Sequence, residues 1–430
     1  MKESLLHLVW EQQLFKTVDL LTTDEQTLKI HKKGILNHLQ GPDFGNAVVE
    51  IGGQKWAGTI EIHVKSSDWY VHQHQEDINY QNVILHVVYE HDVEIFDKHS
   101  NSIPTLELKK QMDSDVLENY KLLIGNSKQW IFCESKLKDF DTFKLSGWLE
   151  RLYVERLERK VGEIERVFLK TNKDWEAALF LLMAKYFGGN VNGEIFLNAF
   201  SQVDYTIVRK QIANKTTTSF LFGLVGLLAQ KSVEDGYYEL LKKEFTFQKQ
   251  KHQLGNLQLA RLNFYGCRPP NFPTIRLAQL IAFYEKHKTV FASILNLDGN
   301  LKSYHEFFTI KMETYWQLHY NFDKPSKKSS KQISKAFVNL LLMNVVVPML
   351  FFYAKNQGKD TSFLLDLMYE IPVEKNSVIS KFNQLGVKTN AALQTQALLT
   401  LKKEYCDKER CSECVVGIYL LKKRNNFKYP

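Results

Sequence analysis

Apolar and polar residues alternate along residues 54–65, and this alternation is the clearest structural signal in the chain. Side chains two positions apart on a β-strand point to the same side, so Glu61, His63 and Lys65 would share one face. The apolar run at 48–51, followed by two glycines, predicts the partner strand of a hairpin. We therefore expect a ladder of polar side chains over a packed sheet.

A second apolar run, residues 83–88, carries His86 and is expected to be an inner strand of the same sheet. Residues 93–96 and 105–108 are predicted to pair as a further hairpin, because the sequence between them is rich in turn-forming residues. Before the sheet, residues 3–15 show the apolar spacing of an amphipathic helix.

Helical spacing dominates from residue 113 onward, for example along 143–167, where Glu and Arg pairs occupy the outer face. We therefore predict an α+β protein whose N-terminal α/β core contains a mixed sheet. The predicted domains are this core at 1–140, a mostly helical region at 141–400 and a cysteine-containing segment at 401–430.

Composition places the chain among globular proteins, since 44% of its 430 residues are hydrophobic and 13% are aromatic. The formal net charge of +8 is compatible with a nucleic-acid partner but is too small to establish one. Residues 1–20 lack the pattern of a signal peptide, and polar residues and a proline interrupt the apolar segment 336–354, which favours a core helix. We expect a cytoplasmic protein without a membrane partner, and the oligomeric state is left open.

Asp43 lies just before the predicted hairpin, at a position from which it could approach Glu61. Two carboxylates held together over a sheet form a suitable cage for Mg²⁺ or Mn²⁺. Lys65, with or without His63, would then orient the attacking water or stabilise charge on a phosphate. The alternative is a strand face that carries ordinary surface charges.

Four histidines lie within one short segment and provide a second set of candidate ligands. His72, His74 and Asp77 follow the predicted hairpin, and together with His63 and His86 they concentrate nitrogen and oxygen donors. Neutral imidazole suits Zn²⁺ or Mn²⁺, so a histidine-rich hydrolase site is an alternative to the carboxylate cage. For His86 alone, a hydrogen-bonded core residue is the favoured interpretation.

Cys406, Cys411 and Cys414 form a C-x4-C-x2-C pattern near the C-terminus. Thiolate ligation of Zn²⁺ or of an iron–sulphur cluster explains such spacing better than packing does. A fourth ligand would come from Cys133 or Cys267, with Cys133 the preferred candidate. The alternative is a set of reduced thiols.

Arg268 and Arg276 flank a proline-rich turn. Either could contact phosphates, but the favoured interpretation is that both anchor the turn through salt bridges and hydrogen bonds.

Pro42 and Asp43, followed by Glu61 on a strand with a basic ladder, resemble the PD-(D/E)XK nuclease superfamily. The resemblance implies that Asp43 and Glu61 bind metal and that a Lys two positions after the Glu assists catalysis. Here His63 occupies that position, and Lys65 follows two residues later. The cysteine pattern is similar to the iron–sulphur staple of certain repair and CRISPR-associated exonucleases and, without a fourth local Cys, to endonuclease III-type glycosylases.

Over nearly its full length the chain resembles an uncharacterised bacterial family catalogued as domain of unknown function 2851. The segments that carry this resemblance are GPDFGNAVVEIGG, IEIHVKSSDWYVHQH, NVILHVV, RPPNFPTIRLAQL and the terminal cysteine pattern. The family implies an architecture but no activity. From the residues themselves we predict a Mg²⁺-dependent nuclease; the alternative is a non-catalytic nucleic-acid-binding or assembly protein. Whether the chain is an enzyme, and whether it would act on DNA or RNA, is left open.

Overall fold

A computed structural model describes residues 1–37, 39–124, 129–230, 233–255 and 257–423. The chain divides into two compact units. Unit 1 comprises Met1–Trp148, Asn376–Lys388 and Leu398–Pro430, and unit 2 comprises Leu149–Lys375 and Thr389–Ala397. The predicted α+β class is confirmed, with a mixed sheet near the N-terminus and helices after it. The domain limits predicted at 140 and 400 stay predictions.

Unit 1 is built on a seven-stranded mixed sheet in the order β1-β2-β4-β5-β6-β7, with β3 paired to β4. Strands β2, β4 and β5 are antiparallel neighbours, whereas β6 runs parallel to β5 and β7 runs parallel to β6. The strands are β1 (Leu20–Leu21), β2 (Thr27–Lys32), β3 (Ile35–Leu36), β4 (Phe44–Ile51), β5 (Gln54–Lys65), β6 (Val83–Glu90) and β7 (Thr105–Glu107).

The hairpin predicted around the two glycines is present as β4 and β5. Ile51 pairs with Gln54 across the turn. Gly52 and Gly53 have φ angles of +57° and +84°, a left-handed conformation that glycine adopts without a Cβ clash. The turn therefore joins β4 to β5 in antiparallel pairing, and Glu61 and His63, two positions apart on β5, point to the same side of the sheet.

The hairpin predicted at 93–96 and 105–108 is wrong. Residues 93–96 form no strand, and only an isolated bridge joins Phe96 to Ser102. Residues 105–107 instead form β7, which pairs with β6 in the parallel direction. Hydrophobic alternation shows that a segment is extended but does not show which neighbour it pairs with, and here the partner is β6.

Helices close one side of this sheet and complete the main core of unit 1. The first helix buries Leu5, Leu6 and Val9, as its spacing predicted, against sheet residues that include Ile60 and Ile62. The helices of unit 1 are α1 (Glu3–Glu11), α2 (Asp68–Val71), α3 (Ser114–Ile124), α16 (Ser377–Gln384) and α18 (Val415–Leu421).

Unit 2 is mostly helical, as predicted for this part of the chain. Its helices are α4 (Thr142–Lys170, whose first residues belong to unit 1), α5 (Trp175–Phe200), α6 (Tyr205–Asn214), α7 (Thr217–Leu224), α8 (Gly236–Lys251), α9 (Pro273–Lys286), α10 (Val290–Leu295), α11 (Leu301–Phe307), α12 (Thr314–Leu318), α13 (Lys335–Leu341), α14 (Val347–Asn356), α15 (Ser362–Glu370) and α17 (Ala392–Thr400, whose last residues belong to unit 1). A two-stranded sheet pairs β8 (His319–Asn321) with β9 (Lys324–Pro325).

In the described part of the chain, one helix is long and apolar enough to cross a membrane by length and composition. It runs from Lys335 to Asn356 through α13, a π turn and α14, with 72% of its most apolar window buried inside the protein. Burial of this kind is what a core helix requires, and the localisation stays a prediction.

Replacing Ile60 with Ala should lower the stability of unit 1 by about 2–5 kcal/mol, because a fully buried side chain in the centre of the sheet is removed and a cavity remains. The matched control is Ile35→Ala, whose side chain is 70% exposed and whose loss should cost less than about 0.5 kcal/mol. Hydrogen exchange of the β5 and β6 amides measures this stability locally. Equal protection in the two variants would contradict the core described here.

Candidate metal centre

Glu61 and His63 lie two positions apart on β5, so both side chains point to the same side of the sheet, at the base of the candidate metal centre. Both side chains are buried, with exposed fractions of 5% and 1%. In the parallel pairing of β5 with β6, Glu61 lies beside His86, whose side chain is fully buried. Three titratable side chains therefore meet on a sheet surface that excludes water.

The connection from β5 to β6 carries the next two histidines back over the sheet. Its start is fastened by Ser67, whose N–H and hydroxyl both donate to the carboxylate of Asp92 at 2.9 and 2.8 Å. After the short helix α2, Gln73 adopts a left-handed φ of +59°. This reversal places His72 and His74 on either side of a bend, with both rings near His63.

Ring nitrogens of His63, His72 and His74 all lie within 4.8 Å of one another. His63 Nε2 is 3.1 Å from His72 Nδ1 and 3.5 Å from Glu61 Oε1. His74 Nε2 is 3.3 Å from the same carboxylate oxygen. The three imidazoles thus form one group that could hold a metal ion, and the Glu61 carboxylate lies beside two of them.

These separations fit a bound transition metal. Zinc–nitrogen bonds of about 2.0–2.1 Å imply that neighbouring ligand atoms of a tetrahedral site lie about 3.3 Å apart. Three of the separations in the cluster, 3.1, 3.3 and 3.5 Å, are close to that value. His74 Nε2 is buried and has no hydrogen-bond partner. Buried polar atoms normally have a partner, and a bound cation would supply one here.

His86 fixes the orientation of the His63 ring from behind. His63 Nδ1 and His86 Nε2 are 2.8 Å apart. If His63 Nε2 holds a metal, Nδ1 carries the proton and donates it to His86, the arrangement in which metal-binding histidines are usually held. The core role favoured for His86 from the sequence and a role beside the metal are therefore compatible.

Aromatic rings hold His74 in place. Its imidazole stacks on Tyr80 with a centroid separation of 3.7 Å and meets the edge of the buried Trp69 at 5.3 Å. Trp69 also contacts His86, at 5.6 Å, so one indole supports two of the histidines. The sequence pattern did not single out either aromatic residue.

Asp43 is brought next to Glu61, as the sequence predicted, through reciprocal hydrogen bonds to the backbone. The N–H of Asp43 donates to Glu61 Oε2 at 3.0 Å, and the N–H of Ile62 donates to Asp43 Oδ2 at 2.9 Å. One oxygen of Glu61 is thereby engaged, and the other faces the histidines. The carboxylate of Asp43 thus lies directly beside the centre.

Two further ionisable residues reach this cluster from α1, and the sequence analysis missed them. His7 Nε2 lies 3.1 Å from Asp43 Oδ2, and Glu3 interacts electrostatically with Asp43 and His72. Glu3 and His7 are four positions apart and so share one face of the helix. The four-residue spacing of Glu3 and His7 was visible in the sequence. The sequence did not show which face of α1 would pack against the histidine cluster.

Burial sets the ionisation of the cluster in the absence of a cation. Burial, followed by the neighbouring charge of Asp43, holds the pKa of Glu61 well above its usual range. Burial, followed by the charges of His74 and His72, lowers the pKa of His63 to about 3. Burial also lowers the pKa of His74 and of His86. Burial therefore favours the neutral form of His63, His74 and His86, and neutral imidazole is the form that binds metal.

Two of the predicted site residues lie away from the point where the nitrogens converge. Lys65 is exposed, and its backbone N–H donates to Asp68 at 3.0 Å. Asp77 is also exposed and accepts a hydrogen bond from the N–H of Asn79 at 2.9 Å, which caps a short 3₁₀ turn at 78–80. The catalytic role given to Lys65 and the ligand role given to Asp77 stay predictions.

Unit 1 also gathers the four cysteines that the sequence analysis placed together. All are free thiols, and each of the six pairs among them interacts electrostatically. Burial, followed by these neighbouring sulfurs, raises the pKa of Cys133 and Cys411 to about 12. Burial likewise raises the pKa of Cys406 and of Cys414.

A glycine is required where the cysteine segment folds back on itself. A Cβ on Gly417 would lie 2.1 Å from the carbonyl oxygen of Cys411, so no larger residue fits without displacement of the backbone. Backbone N–H groups of Val416 and Gly417 donate to the sulfur of Cys414 and oppose the effect of burial on its pKa. Cys267, the other candidate for a fourth ligand, belongs to unit 2.

The comparisons with known proteins identify a family without an assigned activity. The sequence model described as "Protein of unknown function (DUF2851)" matches residues 3–377. No curated protein and no solved structure matches the chain.

We expect purified protein supplied with Zn²⁺ or Mn²⁺ to retain about one metal ion per chain at the histidine cluster. His74→Ala should weaken binding by more than about 100-fold, and His86→Gln, which removes only the support behind His63, by about 10–100-fold. Metal content after dialysis, measured by mass spectrometry, checks both.

His31→Ala is the matched control, since His31 lies on β2 and pairs with Glu50 at 3.0 Å. Retention of the metal by His74→Ala at the level of this control would contradict the assignment.

Proposed function

The chain belongs to the DUF2851 family, and we propose that it is a metal-dependent hydrolase that cleaves phosphodiester bonds in nucleic acids. The observation that carries the proposal is the convergence of the ring nitrogens of His63, His72 and His74, with the Glu61 carboxylate beside His63 and His74. His63 and His74 are buried, and burial lowers the pKa of both. Buried imidazoles are costly to maintain without a ligand, and such groups concentrate at functional sites.

The donor set favours Zn²⁺ or Mn²⁺ over the Mg²⁺ expected from a pair of carboxylates. Imidazole suits Zn²⁺ and other transition metals, whereas Mg²⁺ prefers oxygen ligands and retains its waters. His63, His72 and His74 would hold the metal and leave a fourth position for water, with the Glu61 carboxylate beside His63 and His74. Once bound, it would lower the pKa of a coordinated water and polarise a phosphoryl oxygen.

The remaining residues position this ligand set. Asp43 fixes Glu61 through the backbone hydrogen bonds described above, and His86 orients His63. His72 is the only one of the three histidines that is exposed, so substrate would approach from its side. Tyr80 and Trp69 line the opposite wall and exclude water from behind His74.

The choice of phosphodiesters rests on three features. Pro42-Asp43 and Glu61 resemble the metal-binding residues of PD-(D/E)XK nucleases, and a mixed sheet entered through a helix suits a core of that kind. The net charge of +8 favours a polyanionic substrate. The departure from the nuclease pattern is His63, which stands where a Lys assists catalysis and here faces the ligand cluster.

We further propose that Cys133, Cys406, Cys411 and Cys414 hold a structural metal centre, either Zn²⁺ or an iron–sulphur cluster. These four thiols form no disulfide, and burial raises the pKa of each, an effect that a cation would reverse by stabilising the thiolates. Ligands separated by about 270 residues would close a long loop, which restricts the unfolded chain strongly.

The hydrolase proposal is tested by cleavage of plasmid DNA, single-stranded DNA and RNA in the presence of Zn²⁺, Mn²⁺ or Mg²⁺. Wild-type protein should cleave at least one substrate with Zn²⁺ or Mn²⁺, and chelation should abolish cleavage. Glu61→Gln should reduce the rate by at least about 100-fold because it removes the carboxylate beside the metal-bound water without changing the shape of the side chain.

His31→Ala controls for effects of histidine loss on the sheet and should cleave like the wild type. Equal cleavage by Glu61→Gln and wild-type protein would exclude this site as the catalytic one. Metal-independent binding of nucleic acid without cleavage would instead favour the non-catalytic alternative.

The cysteine centre is tested by anaerobic purification with metal analysis and a visible absorption spectrum. Bound Zn²⁺ or bound iron with visible absorption should be lost from Cys414→Ser and Cys133→Ser. Cys267→Ser, the fifth cysteine of the chain, should keep the full amount. Four freely titrating thiols in protein purified without metal loss would refute the centre.

A further inference from the structure

Unit 2 contains a cavity of about 810 Å³ between a kinked helix and a proline-rich turn. One wall is the bend in α5 around Gly188 and Gly189, and the other is the turn that leads from Gly266 into α9. Phe337 and Asn344 close the base. The histidine cluster and the four clustered cysteines belong to unit 1, so neither lines this cavity; Cys267, which does, is not one of those four.

The bend in α5 depends on glycine and is tied to the opposite wall. A Cβ on Gly188 would lie 2.8 Å from the Cα of Gly193, and Gly189 has a left-handed φ of +61°. Inside the bend, the buried amide of Asn192 donates to the carbonyl of Asn263 and accepts from its N–H, both at 2.8 Å. Specific contacts therefore fix the backbone on both sides of the cavity.

Arg276 places a cation at this cavity without a matching anion. Its guanidinium stacks on Phe337 at 3.7 Å and donates to Asn271 and Gln279, which are neutral amides, at 2.6 and 3.0 Å. Among the residues that the structure describes, no carboxylate forms an ion pair with it. Burial lowers the pKa of Arg276 to about 10, because no neighbouring carboxylate compensates the partly buried charge.

The anchoring role favoured for Arg276 from the sequence is thus present in part, through hydrogen bonds and not through salt bridges. A guanidinium has five N–H donors. Two are directed to Asn271 and Gln279, and the remaining donors are available to a ligand. Phe337 holds the guanidinium plane, so those donors keep a fixed direction.

A second arginine and two amides add to this site. Arg268 is exposed at the cavity rim, and Asn271 and Asn344 also line the cavity. Lys185 lines it too, but its ammonium is paired with Glu163 and Glu194, each at 2.6 Å. The available positive charge of the cavity therefore comes from the two arginines.

We propose that this cavity binds a phosphate group. Two guanidinium groups match a ligand that carries more than one negative charge and several acceptor oxygens, and arginine recognises phosphate with paired N–H groups. The phosphate would belong either to a small phosphorylated molecule or to a nucleic-acid strand. The proposal stands on the contacts of unit 2 and is independent of the hydrolase activity.

The test measures phosphate binding by full-length protein with a chelator present, so that a metal in unit 1 cannot contribute. Inorganic pyrophosphate is titrated by calorimetry, and a fluorescein-labelled single-stranded oligonucleotide is titrated by anisotropy. Wild-type protein should bind at least one of the two. Arg276→Gln and Arg268→Gln should each weaken that binding by about tenfold or more.

Arg209→Gln is the matched control, because Arg209 is an exposed arginine on α6 that does not line the cavity. Circular dichroism checks the fold of Arg276→Gln, and Arg268→Gln keeps the test valid if the buried substitution unfolds the protein. Preference for pyrophosphate would identify a small ligand, and preference for the oligonucleotide would identify a strand. Absence of binding to both probes, or binding by Arg268→Gln equal to that of Arg209→Gln, would overturn the proposal.

Discussion

The parallel pairing of β5 with β6 is the constraint on which the histidine cluster depends. Parallel neighbours cannot be joined by a tight turn, so the chain must cross back over the sheet between them. In this protein the crossover carries His72, His74 and Tyr80, and the pairing itself sets Glu61 beside His86. An antiparallel β6 would need no crossover, and the histidines after β5 would then have no reason to return to Glu61.

Burial of these polar side chains makes the histidine cluster costly in free energy when no cation is bound. Four polar side chains are removed from water here, those of Glu61, His63, His74 and His86. Their burial costs free energy, and the hydrogen bonds among them recover only part of it. His63 shares one proton with His86 on one side and one with His72 on the other, while His74 Nε2 finds no hydrogen-bond partner. A divalent cation would satisfy all of the inward lone pairs at once. The cluster is therefore better explained as a binding site than as part of the hydrophobic core.

Much of this arrangement follows from the sequence, and the remainder shows where local patterns stop being informative. Alternation along β5 and the glycine turn predicted the shared face of Glu61 and His63, since both depend on residues next to one another in the chain. The direction in which β7 pairs depends on distant segments and was predicted wrongly. The approach of His7 was missed because helical periodicity does not identify a packing partner. His74 turns inward because Gln73 adopts a left-handed backbone conformation. The sequence did not indicate this conformation, because glycine is the residue that usually marks it.

Helix α1 links the two candidate centres of unit 1 physically. Its residues Glu3 and His7 face the Asp43 side of the histidine cluster. At its start, Ser4 accepts a hydrogen bond from Ser412, which lies between two of the clustered cysteines, at 2.9 Å. Helix α1 therefore contacts residues of both groups, although the cysteines contribute no atom to the histidine cluster.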